Sequence, residues 1–382
     1  MTRYFLIAIL SAAWLAPMAN AQHKEETAWQ ENREDSLAQL AHTYMEKLTA
    51  LKQFNGVVLL KKGDRIVLRE AFNISEDTTS TLFVTPDHQF DLRSVAKLFA
   101  KASLLQLEQE GRISRKDPLG KYLEGYPNGE RITLEHLMEH RSGLPRELND
   151  SISNTLELTP DEVLELTAKE TLEFEPGTRA QCSHAAYTRL YYIIGTVCEG
   201  SFSECLNKRF FQPLGMSGSG GNFDLGWDQQ TRYAYGHYLK EDKDLQVVEA
   251  FPPDDMKMGN LHSTVDDLDT FLSSLDTDPY KALLEEGSIS HAGGTQGKRA
   301  YVERNIAEGY TIVFLANYDQ IPFERLVSDL QNILTDKPVQ MPERVSRKAV
   351  QVAPETLKRY VGTYDLVDAG HLVLSIKFEN DR

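Results

Sequence analysis

Strand-forming segments near both ends of the chain, with a helix-rich stretch between them, predict an α+β fold in which one antiparallel sheet is built from the two chain halves and flanked by helices. The helix-rich stretch then reads as an inserted region. A site is expected where it meets the sheet.

Each element follows from its local pattern. In the charged segment Gln22–Lys52, residues Leu37, Leu40, Ala41, Tyr44 and Leu48 recur at helical spacing and give one amphipathic helix to pack on the sheet. Gly56–Leu60 is an apolar, β-rich run, Lys61-Lys62-Gly63-Asp64 has turn chemistry, and Arg65–Glu70 resumes a strand, which makes a hairpin. From Ser94 to Glu110 the apolar positions Val95, Leu98, Phe99, Ala102, Leu105 and Leu107 describe a helix stopped by Gly111, so Ser94 falls at or near its first turn. Helical patterning continues through Leu134–Glu139, Pro160–Ala168 and Ala185–Cys198, with loops at Ser142-Gly143-Leu144-Pro145 and Glu175-Pro176-Gly177. Val265–Leu275 is a further helix capped by Ser263 or Thr264. β-Patterning then returns in Lys298–Arg304 and in Tyr310–Ala316, a run apolar enough for a buried central strand. Pro338 and Pro342 mark 337–350 as a linker, and the tail 351–382, with two short strand-like runs, is too small for a core of its own.

The ends and the composition bound the function. Arg3, the apolar run Tyr4–Met18 and the triplet Ala19-Asn20-Ala21 follow the order of a signal peptide, residues 1–21, cleaved after Ala21. Ser11 and Pro17 interrupt the run, which falls short of the roughly 20 residues a membrane-spanning helix needs. We therefore expect a periplasmic or secreted protein with no stable membrane insertion after cleavage. A formal net charge of −16 repels phosphate backbones and argues against a nucleic-acid partner. The cysteines Cys182, Cys198 and Cys205 are too few for a disulfide framework and lack the paired spacing of a zinc site. Their odd number leaves at least one free thiol, and a Cys198–Cys205 bond stays open at this level.

Ser94-Val95-Ala96-Lys97 puts a hydroxyl and an amine three residues apart on a helix, hence on one face and within reach of each other. A serine hydroxyl is a poor nucleophile until a base takes its proton, and a lysine in a dry pocket can be that base. The helix N-terminus favours negative charge on the attacking oxygen and on the adduct. Alone, this spacing is a weak signal. Its context is specific, because further blocks occur in order: Asp91-Leu92-Arg93 before it, then Leu105-Gln106-Leu107-Glu108-Gln109-Glu110-Gly111-Arg112-Ile113-Ser114, Asp117-Pro118-Leu119 and Leu134-Glu135-His136-Leu137-Met138-Glu139-His140-Arg141-Ser142-Gly143-Leu144-Pro145. Phe174-Glu175-Pro176-Gly177-Thr178, Pro213-Leu214-Gly215-Met216, His262-Ser263-Thr264-Val265-Asp266-Asp267-Leu268 and His291-Ala292-Gly293-Gly294-Thr295-Gln296-Gly297 complete the series. Together they closely resemble the serine β-lactamase-related family, which groups class C β-lactamases, D-alanyl-D-alanine carboxypeptidases and esterases.

The resemblance implies a β-lactamase/transpeptidase-like fold, a hydrolase domain over 22–336, Ser94 as nucleophile and Lys97 as its activating partner. It sets His291-Ala292-Gly293 where relatives carry Lys-Thr-Gly or His-x-Gly, so that His291 supplies positive charge or a hydrogen bond near the substrate. Gly293 and Gly294 would let a backbone N–H approach the reacting carbonyl and, with the N–H of Ser94, form an oxyanion hole. The tail segment Leu357–Tyr364 is similar to the opening of a small β domain appended to some relatives, and we expect no activity from it.

Two departures stand out. Where relatives have Tyr-x-Asn, this chain reads Cys182-Ser183-His184. A cysteine sulfur ends roughly 4 Å short of a tyrosine hydroxyl, by addition of bond lengths, so the proton relay must be repaired or lost. Cys182 acting through a water, His184 with an ordinary pKa near 6.5, or Tyr187 swinging in are the available repairs; a small buried filler is the bland reading of Cys182, and a structural histidine that of His184. The second departure is the short segment Asp276–Ser290, with room for one strand at most, which points to a reduced sheet edge or pocket wall. The expected function is acyl-enzyme hydrolysis of an amide, ester or β-lactam carbonyl in a small molecule or short peptide, with no metal and no cofactor. The competing expectation is a catalytically silent relative that binds a cell-wall peptide or similar ligand.

Overall fold

The computed structural model describes residues 36–146, 171–221, 232–240, 245–248, 259–344, 352–366 and 372–378. The segment 1–21, the start of the helix read from Gln22, the helix read at Pro160–Ala168 and most of the linker lie outside the described residues.

Helix α1 (residues 36–50) leads into the hairpin of β1 (Gly56–Lys62) and β2 (Arg65–Phe72). From the far end of the chain, β8 (Ser288–Thr295), β9 (Lys298–Asn305) and β10 (Tyr310–Ala316) join them in one sheet of order β2-β1-β10-β9-β8. The halves are stitched at its centre, where β1 and β10 run antiparallel with Gly56 opposite Ala316 and Lys62 opposite Tyr310. Strand alternation explains the layering. Val57, Leu59, Val313 and Leu315 face the core that includes the inserted helical region, whereas Val58, Leu60, Ile312 and Phe314 face the core that includes Leu37, Tyr44 and Leu48 of α1. β10 is buried along its whole length, as its apolar run predicts.

The insertion carries β3 (Phe90–Asp91), α2 (Ala96–Gln109), α3 (Leu134–Met138), α4 (His184–Val197) and α5 (Phe202–Leu206). Short strands β4 (Gly220–Gly221) and β7 (Leu261–Ser263) make a second small sheet with β3, β5 (His237–Leu239) pairs with β6 (Leu245–Val247), and α6 (Val265–Ser274) follows. Of the two possible caps of α6, Thr264 is the one that accepts from the Asp267 N–H. Cys198 and Cys205 are bonded across the α4–α5 junction, leaving Cys182 as the free thiol.

Two elements differ from the sequence reading. Helix α7 (Phe323–Leu334) was not read, although Leu326, Leu330, Ile333 and Leu334 bury one face. Strand β8 begins ten residues before the first β-pattern read there, because Ser, His and Gly residues give a strand no alternation to recognise. Between α6 and β8 lies a 3-10 turn, Tyr280–Leu283, and no strand, so β8 is itself the sheet edge.

After Pro342 the chain forms a second, small unit. In it a one-turn helix, Pro354–Leu357, precedes the antiparallel pair β11 (Gly362–Leu366) and β12 (Leu372–Ile376), and Tyr360, Val361 and Val373 are exposed.

Candidate active site

The nucleophile turn is held from below by packed aromatics. Phe99, on the first turns of α2, stacks on Phe271 of α6 at 3.8 Å between ring centroids and meets Phe210 and Phe211 edge-on. Phe99→Ala should cost about 3–5 kcal/mol, the usual range for an emptied aromatic site. Above this floor Ser94 occupies a single 3-10 turn, Arg93–Val95, that runs straight into α2. Arg93 takes φ 51°, a left-handed conformation that costs a non-glycine residue about 1–2 kcal/mol.

One helical turn on, buried Lys97 donates from Nζ to Ser94 Oγ at 2.7 Å. Its ammonium lies 5.5 Å from the centre of the Tyr187 ring. Tyr187 is fixed there, since its hydroxyl donates to the Met138 carbonyl at 2.8 Å and burial keeps the phenol protonated. It forms the floor under Lys97 and does not swing in to replace a relay.

β8 closes the other side. A Cβ on Gly293 would lie 2.4 Å from Leu92 O, 2.9 Å from Ser94 N and 3.1 Å from Val95 N, so only glycine lets the strand pass this close to the nucleophile turn. Thr295 and Lys298 flank a two-residue hairpin and pair with each other; alternation along the ladder then leaves the N–H of Gly294, opposite Arg299, on the free edge beside Ser94. The two glycines therefore differ. Gly293 permits the close approach, and Gly294 presents the donor.

His291 shares the face of Gly293 on β8. Burial, with Lys97, Lys101 and His140 nearby, pushes it down to about 4 against an opposing hydrogen bond to Ala292. It is thus neutral at pH 7 and brings a hydrogen bond, not the positive charge that was the other expectation. Its Nδ1 donates to Ala292 O at 2.8 Å, which leaves Nε2 as an acceptor.

Cys182, Ser183 and His184 form the cap turn of α4, called the rim below, which is joined through His140 to the Tyr187 ring that underlies Lys97. Ser183 Oγ accepts from the Ala186 N–H at 3.0 Å and donates to Pro145 O at 2.7 Å. Cys182 and His184 on either side of it are exposed, so Cys182 is not the small buried filler of the bland reading. Beneath the turn lies a residue the sequence reading quoted in a motif but did not single out. The Ser183 N–H donates to Nδ1 of His140 at 3.1 Å, and the His140 ring packs on Tyr187 at 4.9 Å. Burial first, then Lys97, Lys101 and His184, push His140 down to about 4. Neutral His140 therefore carries its proton on Nε2, the opposite tautomer to His291. Its position in Glu139-His140-Arg141-Ser142-Gly143, just before a glycine-bearing turn, was the available signal.

Also unread was a buried ion pair behind the nucleophile. Lys298 Nζ pairs with Asp91 Oδ2, and the Tyr233 hydroxyl donates to the same oxygen at 2.9 Å. Burial lowers the Lys298 pKa, opposed by Asp91. The pair ties the start of β9 to the strand entering the nucleophile turn, across 207 positions of sequence. Ser94, Gly293, Gly294, Thr295, Arg299 and Phe323 line a cleft of about 510 Å³. Among the described residues no group of three His, Cys, Asp or Glu is arranged to hold a metal ion.

The Beta-lactamase family profile matches residues 41–288, well over half of the chain and up to three residues short of His291. The chain belongs to the beta-lactamase family. Members of this family act as serine hydrolases through an acyl-enzyme, and the fold agrees with theirs. Penicillin-binding protein 4* of Bacillus subtilis is 25% identical, over 89% of this chain and 85% of its own length. The octameric penicillin-binding protein homologue from Pyrococcus abyssi superposes with a TM-score of 0.68 at 21% identity, covering 89% of this chain and 85% of that one. A D-amino acid amidase from Ochrobactrum anthropi, solved with L-phenylalanine amide, superposes with a TM-score of 0.66 at 18% identity over 78% and 98% of the two chains.

Proposed function

We propose that this beta-lactamase family protein is an active, exported serine hydrolase that cleaves an amide, ester or β-lactam carbonyl in a small molecule or short peptide. The observation that carries the reading is the 2.7 Å hydrogen bond between Lys97 Nζ and Ser94 Oγ, made where β8 runs against the nucleophile turn. Once neutral, Lys97 takes the hydroxyl proton as Ser94 Oγ attacks the carbonyl carbon. The oxyanion that forms is held by the N–H groups of Ser94 and Gly294. Collapse expels the leaving group, which takes back the proton, and water then hydrolyses the ester on Ser94 by the same steps.

The phenol that relatives place at Cys182 is replaced by imidazoles. His184 lies at the rim and His140 beneath it, and we assign His184 the exchange of the proton with the leaving group, with Cys182 too short to do so directly. The Cys198–Cys205 bond supports export to an oxidising space, as does the N-terminal segment. Among the described residues no helix is long and apolar enough to cross a membrane.

A fluorophosphonate probe or a labelled penicillin, followed by mass spectrometry, tests the reading. An adduct on Ser94 that disappears in Lys97→Ala supports acyl chemistry. The exposed Cys182 and His184 at the relay position favour one rival, a silent binder of cell-wall peptides; no adduct with either probe while a wall peptide still binds would establish it.

A further inference from the structure

Ser94, Lys97 and Lys101 fall at i, i+3 and i+7, so the face that carries the nucleophile and its base carries a second amine one turn further along α2. Side chains on a helix lean towards its N-terminus, which aims Lys101 back at Lys97. From Ala96 to Leu105 every other position is buried, and Lys101 alone is half-buried. This amine therefore stands in a stretch otherwise packed into the core.

No carboxylate holds it. Among the described residues Lys101 makes no hydrogen bond and no ion pair, although the chain carries −16. Its charge is felt instead by the two imidazoles that also feel Lys97, since both amines push down His140, from the loop after α3, and His291, from β8. The other groups facing the cluster are the protonated Tyr187 of α4, with Cys182 and His184 of its cap turn. Glu139, which acts on Tyr187, is exposed and lies 3.8 Å from Arg141, and Asp91 behind the turn is spent on Lys298. The Tyr187 ring under Lys97 favours the charged amine. Burial opposes that charge, and a second ammonium one turn away opposes it further.

We infer that Lys101 is a positioning residue that acts through Lys97: its like charge holds the base in the neutral form that can accept the Ser94 proton. The inference rests on the acyl-transfer reading above and adds to it the device that readies the base. Position 101 then has to carry a cation, and the shape of the side chain there matters less than its charge.

The test is a charge series at position 101, read by the acid limb of the kcat/KM profile for a neutral ester. Without the cation Lys97 holds its proton to higher pH. In Lys101→Gln the limb should move up by about one pH unit, the shift produced by two charges about 6 Å apart in a partly screened site. On the limb this is a loss of about tenfold, and the alkaline plateau should be regained. Lys101→Glu should move the limb further in the same direction, whereas Lys101→Arg should leave it at the native position. A limb unmoved in both Lys101→Gln and Lys101→Glu, or moved as far in Lys101→Arg, overturns the inference. Carbon NMR of protein labelled at lysine Cε, with the Lys97 signal assigned by its loss in Lys97→Ala, reads the same series without turnover. If the Lys97 titration shifts while no ester is turned over, the hydrolase reading fails and the role of Lys101 stands. If Lys97 titrates at one pH in the native protein and in Lys101→Gln, the role of Lys101 fails whatever the turnover.

Discussion

The two sides of the Ser94 cleft are built differently. On one side the nucleophile turn is clamped by stacked aromatics, the buried Asp91–Lys298 pair and the glycine contact with β8. On the other, the Cys182-Ser183-His184 rim hangs on the capping bonds of Ser183 and on His140, with both flanking side chains in solvent. The comparison teaches which part of the chemistry tolerates replacement. Attack and oxyanion binding need positions fixed to a fraction of an ångström and are set in the core, whereas proton exchange with the leaving group can be done by any suitable group that reaches, or by water.

The largest effects should come from the clamped side. Ser94→Ala and Lys97→Ala should each lower kcat by about 10⁴-fold or more, as for nucleophile and base in other serine hydrolases. Measurable turnover within tenfold of native in Lys97→Ala would show that the amine is not the base. Gly293→Ala comes next. Its new Cβ has no room against Leu92 O and Ser94 N, so the strand must retreat and the oxyanion donors part, and kcat should fall about 10²-fold while the circular dichroism spectrum is retained. The prediction separates geometry from folding, and a fall in KM alone would contradict it.

Smaller changes are expected at the rim. His184→Ala should lower ester turnover by about tenfold to a hundredfold, the lower part of the range for a general acid–base group. Cys182→Tyr should raise turnover if the lost phenol limits the rate, and with the phenol present His184→Ala should matter less. If His184→Ala has no effect on either background, the imidazole beneath it, His140, becomes the relay to examine through His140→Gln.

The same contrast decides how much was legible. The hairpin, α2, α6 and the central strand β10 were readable because their apolar spacing is regular, and Ser94 with Lys97 because three residues on a helix have one geometry. β8 hid because Ser290, His291, Gly293 and Gly294 stand where a strand would otherwise show apolar alternation. Arg299 and Lys298 are adjacent and chemically alike in the sequence, yet one is buried on Asp91 and the other lines the cleft; only the alternation of β9 separates them. His140 was visible as a letter in a motif, but its contact with Ser183 joins segments 43 positions apart and no local pattern announces it.

The neutral imidazoles give the smallest and most general prediction. Burial holds His140, His262 and His291 at about 4, whereas an unfolded histidine titrates near 6.5. Between those values the unfolded chain binds more protons than the folded one, so stability falls as the pH drops from 6.5 to about 4 and is fully present above 6.5. Thermal melting across this window should show a loss of about 5 °C or more, and His140→Gln and His291→Gln should each flatten the slope. The buried His262 belongs to the β3–β7 pairing behind the nucleophile, while His140 reports on the contact with the rim. If His140→Gln flattens the slope and also lowers turnover, the rim contact serves the chemistry; if it flattens the slope and leaves turnover intact, the rim is held only for stability. In a protein whose rim and clamp act independently, His262→Gln would change the melting curve without changing the pH dependence of kcat above pH 6.5.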